Sequence, residues 1–418
     1  MFYFVFDHKE KPNLDGLAAV GNSELRYRSI HQWNNFILTN TALKHNDRNY
    51  IYPIEIFGYI LDRLSDVTFS DEVIQLYKKG NLKFLINYSH EFRLPDDELY
   101  TYTWNDLHKN FSKQGINPSD VIIFLGQTNA LTNFPNLKNF DFKFKFNDAV
   151  LYSSAEKAKD IDGTIINNNL GYDSEFVTIK EIDTFKRSKR FMCLNRGVSY
   201  HHRITLGAFL ELNNYWDDFH ASFLFTNNKK EDINSYLIKT PDDKLNQMLS
   251  VSVLSFYDKI GKIEVDTHDV EDKESWDDKF EGGKFYKKEA YLDSYINVVT
   301  ETNFLDNQLF VTDKVFHPIL NYQPFLVFGC YGWLRYLKKY GFKTFHPFID
   351  ESYDEIENDG ERIKFLFDEI KRLKSKSIDE IHEWYCSIKD ILIYNRNHLL
   401  SFASEDCWTE YIEEEFIG

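Results

Sequence analysis

The chain has 418 residues, of which 43% are hydrophobic and 28% are charged, so it is long enough for two or three domains with large cores. Its 49 Lys and Arg residues against 66 Asp and Glu residues give a formal net charge of −17, which argues against a protein held on nucleic acid by its overall field. The four cysteines stand far apart without a CxxC pair, which argues against a disulfide framework and a cysteine-rich zinc site.

The chain begins with the apolar run MFYFVF, which Asp7 interrupts. The run has neither a basic segment before it nor the length of a signal peptide. Elsewhere no apolar run approaches the ~20 residues that a transmembrane helix needs. We therefore expect a cytoplasmic protein without a membrane span.

The first half contains two compact apolar runs, KFLINY at 83–88 and DVIIFLG at 120–126. Both predict buried strands, and the segment 97–115 between them predicts a helix. Strands separated by helix-length segments favour a parallel sheet with crossover helices.

The second half repeats this alternation. Strands are predicted at 190–195, 222–226, 295–300 and 324–329, a short strand at 342–345, and helices at 203–212 and 332–340. The charged segment 227–288 is interpreted as an irregular excursion. Apolar residues at helical spacing in 352–373 begin a helical tail, with acids at its start and lysines and an arginine at its end. The sequence thus predicts two α/β domains, with a boundary inside the polar stretch 167–189.

Polar and charged residues follow several of these strands, where ligands of open α/β folds bind. His90 and Glu91 follow the first strand, and Arg203 opens the helix after the 190–195 strand. A cation at a helix start suits a phosphate, so Arg203 and Lys314 together can neutralise a diphosphate. A carboxylate such as Glu301 can accept from ribose hydroxyls. Each of these residues taken alone also fits a surface or helix-end role.

Three motifs in order resemble the donor-binding block of the fucosyltransferase-like glycosyltransferases: YINVVTET at 295–302, FVTDKVFH at 310–317 and NYQPFLVFG at 321–329. Glu301 matches the first acid of that family, and Thr312, Asp313 and Lys314 match its Thr-Glu-Lys motif. Upstream, the 191–195 strand followed by Arg203 is similar to the family's strand and phosphate-binding arginine. Glycosyltransferase-like proteins of large DNA viruses and phages share the Gln-Pro-Phe strand and the segments 341–345 and 350–356. Asp313 departs from the family's usual Glu, so neither guanine nor fucose follows.

The resemblance implies an α/β fold of two Rossmann-like domains facing a cleft (GT-B), with C-terminal helices. It implies an acceptor-side domain at 1–180, a nucleotide-sugar donor domain at 181–390 and a helical tail at 391–418. The implied reaction transfers a sugar from a nucleotide-diphosphate donor to a hydroxyl acceptor, inverting and without a metal or other cofactor. The implied donor-binding residues are Asn195, Arg196, Arg203, Thr300, Glu301, Thr312, Asp313, Lys314, Phe316 and His317.

An inverting transfer needs one general base on the acceptor side. Glu91 is the predicted base, with His90 as its rival and Asp96 or Asp97 as weaker alternatives. Phe316 and His317 can flank a nucleotide base, although Phe316 also fits a core position.

No metal site is predicted. The acidic pairs at 217–218 and 277–278 are not spaced as Asp-x-Asp, and both are interpreted as solvated turns.

The acceptor stays open between a glycan and a hydroxylated DNA base. A DNA acceptor would need a basic groove, for which 186–190 is the one dense basic cluster of the sequence. The alternatives to an enzyme of this type are a catalytically inactive nucleotide-binding or scaffold protein, and an epimerase of similar fold.

Overall fold

The computed structural model describes residues 2–5, 36–39, 50–55, 68–88, 97–125, 140–146, 151, 154–155, 176–182, 186–262, 288–305 and 309–402. The chain divides into two compact units: the first comprises Met1–Ser153 and Ser404–Gly418, and the second comprises Ser154–Ala403. The boundary expected between 180 and 181 lies on the C-terminal side of this division. The limits 1–180, 181–390 and 391–418 stay predictions.

The first unit contains a six-stranded sheet in which every neighbouring pair is parallel. The strand order is β2-β1-β3-β4-β5-β6. The predicted strands at 83–88 and 120–126 and the helix at 97–115 are confirmed. The strands are β1 (Phe2–Val5), β2 (Phe36–Thr39), β3 (Tyr50–Glu55), β4 (Leu82–Tyr88), β5 (Val121–Leu125) and β6 (Lys143–Phe146), and the helices are α1 (Asp71–Lys78) and α2 (Asp97–Lys113).

Aromatic side chains fill the core of the first unit. All five residues of β5 are buried, as expected for an inner strand of a parallel sheet covered on both faces. The rings of Phe84 and Phe111 meet edge to face at 5.5 Å, and the buried Trp104 contacts Phe144 in the same way at 5.4 Å. Such pairs add to the free energy gained from burial alone.

The second unit has a four-stranded parallel sheet in the order β10-β9-β7-β8. Its strands are β7 (Lys189–Gly197), β8 (Phe219–Phe225), β9 (Ser294–Thr300) and β10 (Phe325–Phe328). The predicted strands at 190–195, 222–226, 295–300 and 324–329 are therefore confirmed. The helices are α3 (His201–Asn213), α4 (Asp243–Tyr257), α5 (Lys288–Leu292), α6 (Phe316–Leu320), α7 (Trp333–Lys339), α8 (Asp359–Lys374), α9 (Ile378–Ser387) and α10 (Lys389–Ser401).

Two expectations for the second unit are wrong, and a third, the helix over 352–373, is confirmed in part. Residues 342–345 form no strand, because side chains take their N–H groups: Lys343 N donates to Asn395 Oδ1 at 2.9 Å, and Phe345 N donates to Glu351. The segment 227–288 is not wholly irregular, since it contains α4. The helix expected over 352–373 is a 3₁₀ turn at Ser352–Glu355 followed by α8, which begins at its cap Asn358.

The prediction of two Rossmann-like α/β domains with C-terminal helices is confirmed at the level of the two sheets and helices α8–α10. In each sheet the first strand lies between the second and the third strands of its unit. The chain therefore reverses its direction of travel across the sheet beside β1 in the first unit and beside β7 in the second. Among the described residues, none of the helices is long and apolar enough to cross a bilayer.

Candidate functional site

The carboxyl ends of β7 and β9 meet where the strand order of the second unit reverses. Helices and loops diverge at such a point, which leaves a crevice that binds ligands in open α/β sheets. Asn195 near the end of β7 and Thr300 at the end of β9 are buried side by side, and Thr300 Oγ1 donates to Asn195 Oδ1. The two strand ends are thus held together by side chains as well as by the sheet. The residues around them are called the switch-point site below.

Arg203 lies in the first turn of α3 and is 5% exposed. Its Nη1 donates to Gly197 O at 2.7 Å, and its Nη2 donates to Thr300 O at 3.0 Å and to Glu301 O at 3.4 Å. The guanidinium also lies over the Tyr200 ring at 4.8 Å. One buried cation therefore ties the ends of β7 and β9 together, and its contact with a phosphate stays a prediction.

Glu301 follows β9 directly and is fully buried. Its Oε2 accepts from Thr312 Oγ1 at 2.5 Å, whereas its Oε1 has no hydrogen-bond partner among the described residues. Burial raises the pKa of Glu301 to about 7, against the opposing effect of the Lys314 cation and the Thr312 hydrogen bond. A carboxyl with a pKa near neutrality in a crevice is typical of functional sites.

Lys314 stands opposite Glu301 on the short turn Asp313–Val315. Its Nζ donates to Thr302 Oγ1 at 2.9 Å and to Thr312 Oγ1 at 3.2 Å. The described residues thus account for two of the three ammonium N–H donors. The Thr312 side chain also accepts from Lys314 N and begins the turn, so sequence-local capping fixes where the lysine stands.

His202 belongs to this site, and the sequence reasoning missed it. The residue is 2% exposed, stacks on Phe304 at 5.4 Å and lies 2.8 Å from Glu301 O through its Nε2. Burial lowers the pKa of His202 well below its ordinary value, so the ring is neutral, and Nε2–H is the donor because a carbonyl oxygen only accepts. Its place beside Arg203 at a helix start was the one signal available in the sequence.

Three other predicted residues lie on or next to the same turn. Asp313 Oδ2 is 3.5 Å from His317 Nε2, and both side chains are partly exposed. Phe316 is fully buried and packs on Phe342 at 6.3 Å. The core interpretation of Phe316 therefore fits, and its contact with a nucleotide base stays a prediction.

The side chains of the remaining predicted residues lie outside the described part of the chain. Arg196 lies in β7, with its side chain outside the described part of the chain. His90, Glu91 and Asp96 lie outside the described residues, and Asp97 is described only as the first residue of α2. The general base stays a prediction.

Of the two acidic pairs considered in the sequence, the one at 217–218 is described. Asp218 accepts from Arg190 Nη1 at 2.6 Å and lies 3.1 Å from Lys374 Nζ, so cations engage it and it does not lie in a freely solvated turn. The pair at 277–278 lies outside the described residues. Across the described ranges, no group of three or more His, Cys, Asp or Glu side chains is placed to hold a metal ion. Metal independence stays a prediction.

The basic cluster at 186–190 is already paired. Lys186 Nζ lies 2.5 Å from Asp379 Oδ1, and Arg190 pairs with Asp218. Arg187 is 2% exposed and donates to Tyr385 Oη at 2.6 Å. These three side chains are thus engaged by partners within the chain, and the acceptor stays a prediction.

Comparison with known proteins gives only distant similarity. No protein-family model and no curated protein matches the chain. Among solved structures, the chain is similar to an α,α-trehalose-phosphate synthase (UDP-forming) from Burkholderia vietnamiensis, with 10% identity, a TM-score of 0.39 and coverage of 95% of this chain and 79% of that chain. It is also similar to a glycosyltransferase from Rickettsia africae ESF-5, with 11% identity, a TM-score of 0.30 and coverage of 99% and 98%. Because these TM-scores are low, we infer the fold from the strand order and the function from the residues of the site.

Proposed function

We propose that the protein is a glycosyltransferase that moves a sugar from a nucleoside-diphosphate donor to a hydroxyl acceptor. The observation that carries the proposal is that two cations lie beside the carboxyl end of β9, at the switch point of a parallel sheet: Arg203 donates to Thr300 O and Lys314 donates to Thr302 Oγ1. The motifs that resemble the fucosyltransferase-like donor block fall on the same residues.

The chemistry follows from where negative charge develops. When the glycosidic bond to the diphosphate breaks, the departing diphosphate gains charge. Preorganised cations that face this charge stabilise the transition state. Arg203 is held by three carbonyl oxygens and Lys314 by two hydroxyls, so neither has to reorganise during the reaction. In this proposal Glu91 removes the acceptor proton while the acceptor oxygen forms a bond to the anomeric carbon on the face opposite the departing diphosphate, so the reaction is inverting.

A panel of nucleotides tests the donor site. Thermal unfolding is measured with UDP, GDP, ADP, CMP and dTDP and with their sugars, with and without EDTA. A ligand that binds only the native state raises Tm according to its occupancy. We expect a shift with one base that EDTA leaves unchanged, and no shift with any nucleotide would contradict the proposal.

Lys314→Ala tests the assigned cation. Loss of a charge-assisted hydrogen bond to phosphate amounts to about 1.5–3 kcal/mol, so the Kd for that nucleotide should rise about ten- to a hundredfold in titration calorimetry. Lys364→Ala is the matched control, because Lys364 is a partly exposed residue of α8 that pairs with Asp368 at 2.7 Å. Equal affinities of the two variants would remove Lys314 from the donor site.

A catalytically inactive nucleotide-binding protein is the second candidate, because a fold does not fix an activity. It predicts the same Tm shift without turnover. Release of free nucleotide from the donor, alone or with a glycan acceptor, separates the two. A reaction of the donor without any acceptor or water consumed would indicate the epimerase alternative.

A further inference from the structure

Glu301 and Lys314 are connected through one shared hydroxyl. Thr312 Oγ1 donates its single proton to Glu301 Oε2 and accepts from Lys314 Nζ at 3.2 Å. A threonine hydroxyl has one donor and two acceptor positions. Because the hydroxyl donates its proton to the carboxyl of Glu301, its lone pairs point toward Lys314. The orientation of the hydroxyl therefore depends on whether Glu301 accepts this hydrogen bond.

The backbone of Glu301 cannot move to relieve this arrangement. Its N–H donates to Phe328 O at 3.0 Å across the sheet, and its carbonyl oxygen accepts from His202 and Arg203. The side chain is fully buried, and Oε1 is without a hydrogen-bond partner among the described residues. A buried polar atom with no partner is costly, so Oε1 favours a state in which the carboxyl carries a proton or meets a donor.

The charged and titratable groups that face Glu301 come from three elements. Lys314 and Asp313 lie on the turn before α6, and Arg203 and His202 lie on α3. Cys330, after β10, stays a thiol because burial raises its pKa to about 12, and His202 stays neutral. The carboxylate is therefore balanced mainly by the Lys314 and Arg203 cations, which are also the cations assigned to the diphosphate.

A bound diphosphate competes with the carboxylate for these cations. Two anions would then face the same two cations in a buried site, where like charges repel strongly. Uptake of one proton by Glu301 removes that repulsion. Because the pKa of Glu301 is about 7, a small change in its surroundings is enough to protonate it near neutral pH.

We propose that Glu301 is a positioning residue that orients Lys314 through Thr312, and that it takes up a proton when a nucleotide-sugar diphosphate binds. This inference rests on the proposed function. Donor affinity is then coupled to pH through a residue that need not touch the transferred sugar.

Titration calorimetry on the full chain tests the coupling. The probes are UDP-glucose, GDP-mannose, ADP-glucose and dTDP-glucose, whose phosphate diesters keep a fixed charge between pH 6 and 8. For the probe that binds, we expect the wild-type Kd to rise about tenfold from pH 6 to pH 8, with close to one proton taken up per donor at pH 8. Buffers of different ionisation enthalpy measure the proton count.

Two variants separate this role from simple support of the fold. Glu301→Gln mimics the protonated carboxyl, so it should bind as wild type does at pH 6, with no proton uptake and no pH dependence. Thr312→Val should weaken binding at every pH, while Thr312→Ser keeps the hydroxyl and should keep the wild-type profile.

The outcomes are distinguishable. Binding of a probe with equal pH profiles for wild type and Glu301→Gln overturns the inference and leaves the proposed function standing. Failure of all four probes to bind overturns the proposed function and the inference with it.

Discussion

At the scale of single residues, Glu301 is a fully buried carboxyl whose titration should affect stability. Its folded-state pKa of about 7 lies above the ordinary value of 4.5. The raised pKa therefore contributes stability that is fully present below pH 4.5 and is lost as the pH rises to 7 and above.

Glu301→Gln removes this titration. We expect the free energy of unfolding of the wild type to fall relative to Glu301→Gln by about 3 kcal/mol between pH 4.5 and 8. Thermal unfolding of the ligand-free chain across this range measures the difference. Glu357→Gln, at an exposed glutamate, is the control and should follow the wild type. Parallel pH profiles for Glu301→Gln and wild type would show that the carboxyl does not titrate there.

The sequence pointed to four residues that lie around the switch point. Arg203 and Glu301 stand at a predicted helix start and directly after a predicted strand, whereas Thr312 and Lys314 match the Thr-Glu-Lys motif of the resembled family. Their roles in donor binding stay predictions. His202 was missed because its importance comes from burial and from one hydrogen bond to a carbonyl oxygen 99 residues away along the chain. Such a contact has no local pattern in the sequence.

At the scale of elements, α3 and α4 show how close packing depends on one missing side chain. A Cβ added at Gly207 in α3 would overlap the ring of Phe256, a buried residue of α4. Helices approach this closely only where one of them has no side chain at the crossing.

Gly207→Ala should therefore destabilise the second unit. Overpacking costs about 1–3 kcal/mol, which exceeds the gain of up to about 1 kcal/mol in helix propensity from alanine. Chemical denaturation measures the change. In a Phe256→Ala background the ring is gone, so the same Gly207→Ala change should be neutral or stabilising. An equal loss in both backgrounds would disprove the packing explanation.

Strand prediction succeeded where burial is continuous and failed elsewhere. All seven residues of β9 and all five of β5 are buried, so their apolar runs stand out. The prediction missed β3, which contains Pro53, a residue that is rare inside strands. It also missed β6, a four-residue edge strand with alternating lysines. Residues 342–345 were predicted as a strand but form none, because extended backbone can be held by side chains such as Asn395 as well as by a neighbouring strand.

At the scale of the whole molecule, the net charge of −17 bears on the acceptor. The basic cluster that would have offered a DNA groove is neutralised by Asp379 and Asp218 or buried with Arg187. Under the proposed function, we therefore predict a glycan acceptor rather than a nucleic acid.

Binding to DNA should accordingly be weak. We expect duplex DNA that contains hydroxymethylcytosine not to bind measurably at 150 mM NaCl in fluorescence anisotropy. A nucleic-acid acceptor would instead bind with a Kd that rises steeply with salt as phosphate contacts release counterions. Submicromolar binding with such a slope would replace the glycan acceptor by DNA.

The strand order that creates the switch point also determines when the site can exist during folding. Ser188 and Asp293, which hydrogen-bond at the beginning of β7 and β9, are 105 residues apart in the chain. Closing that loop costs conformational entropy before the strand pairing contributes any stability, so such contacts form slowly. Arg203 can reach Thr300 only after this step. Under the proposed function, a nascent chain therefore gains nucleotide affinity only after β9 has been synthesised and has paired with β7.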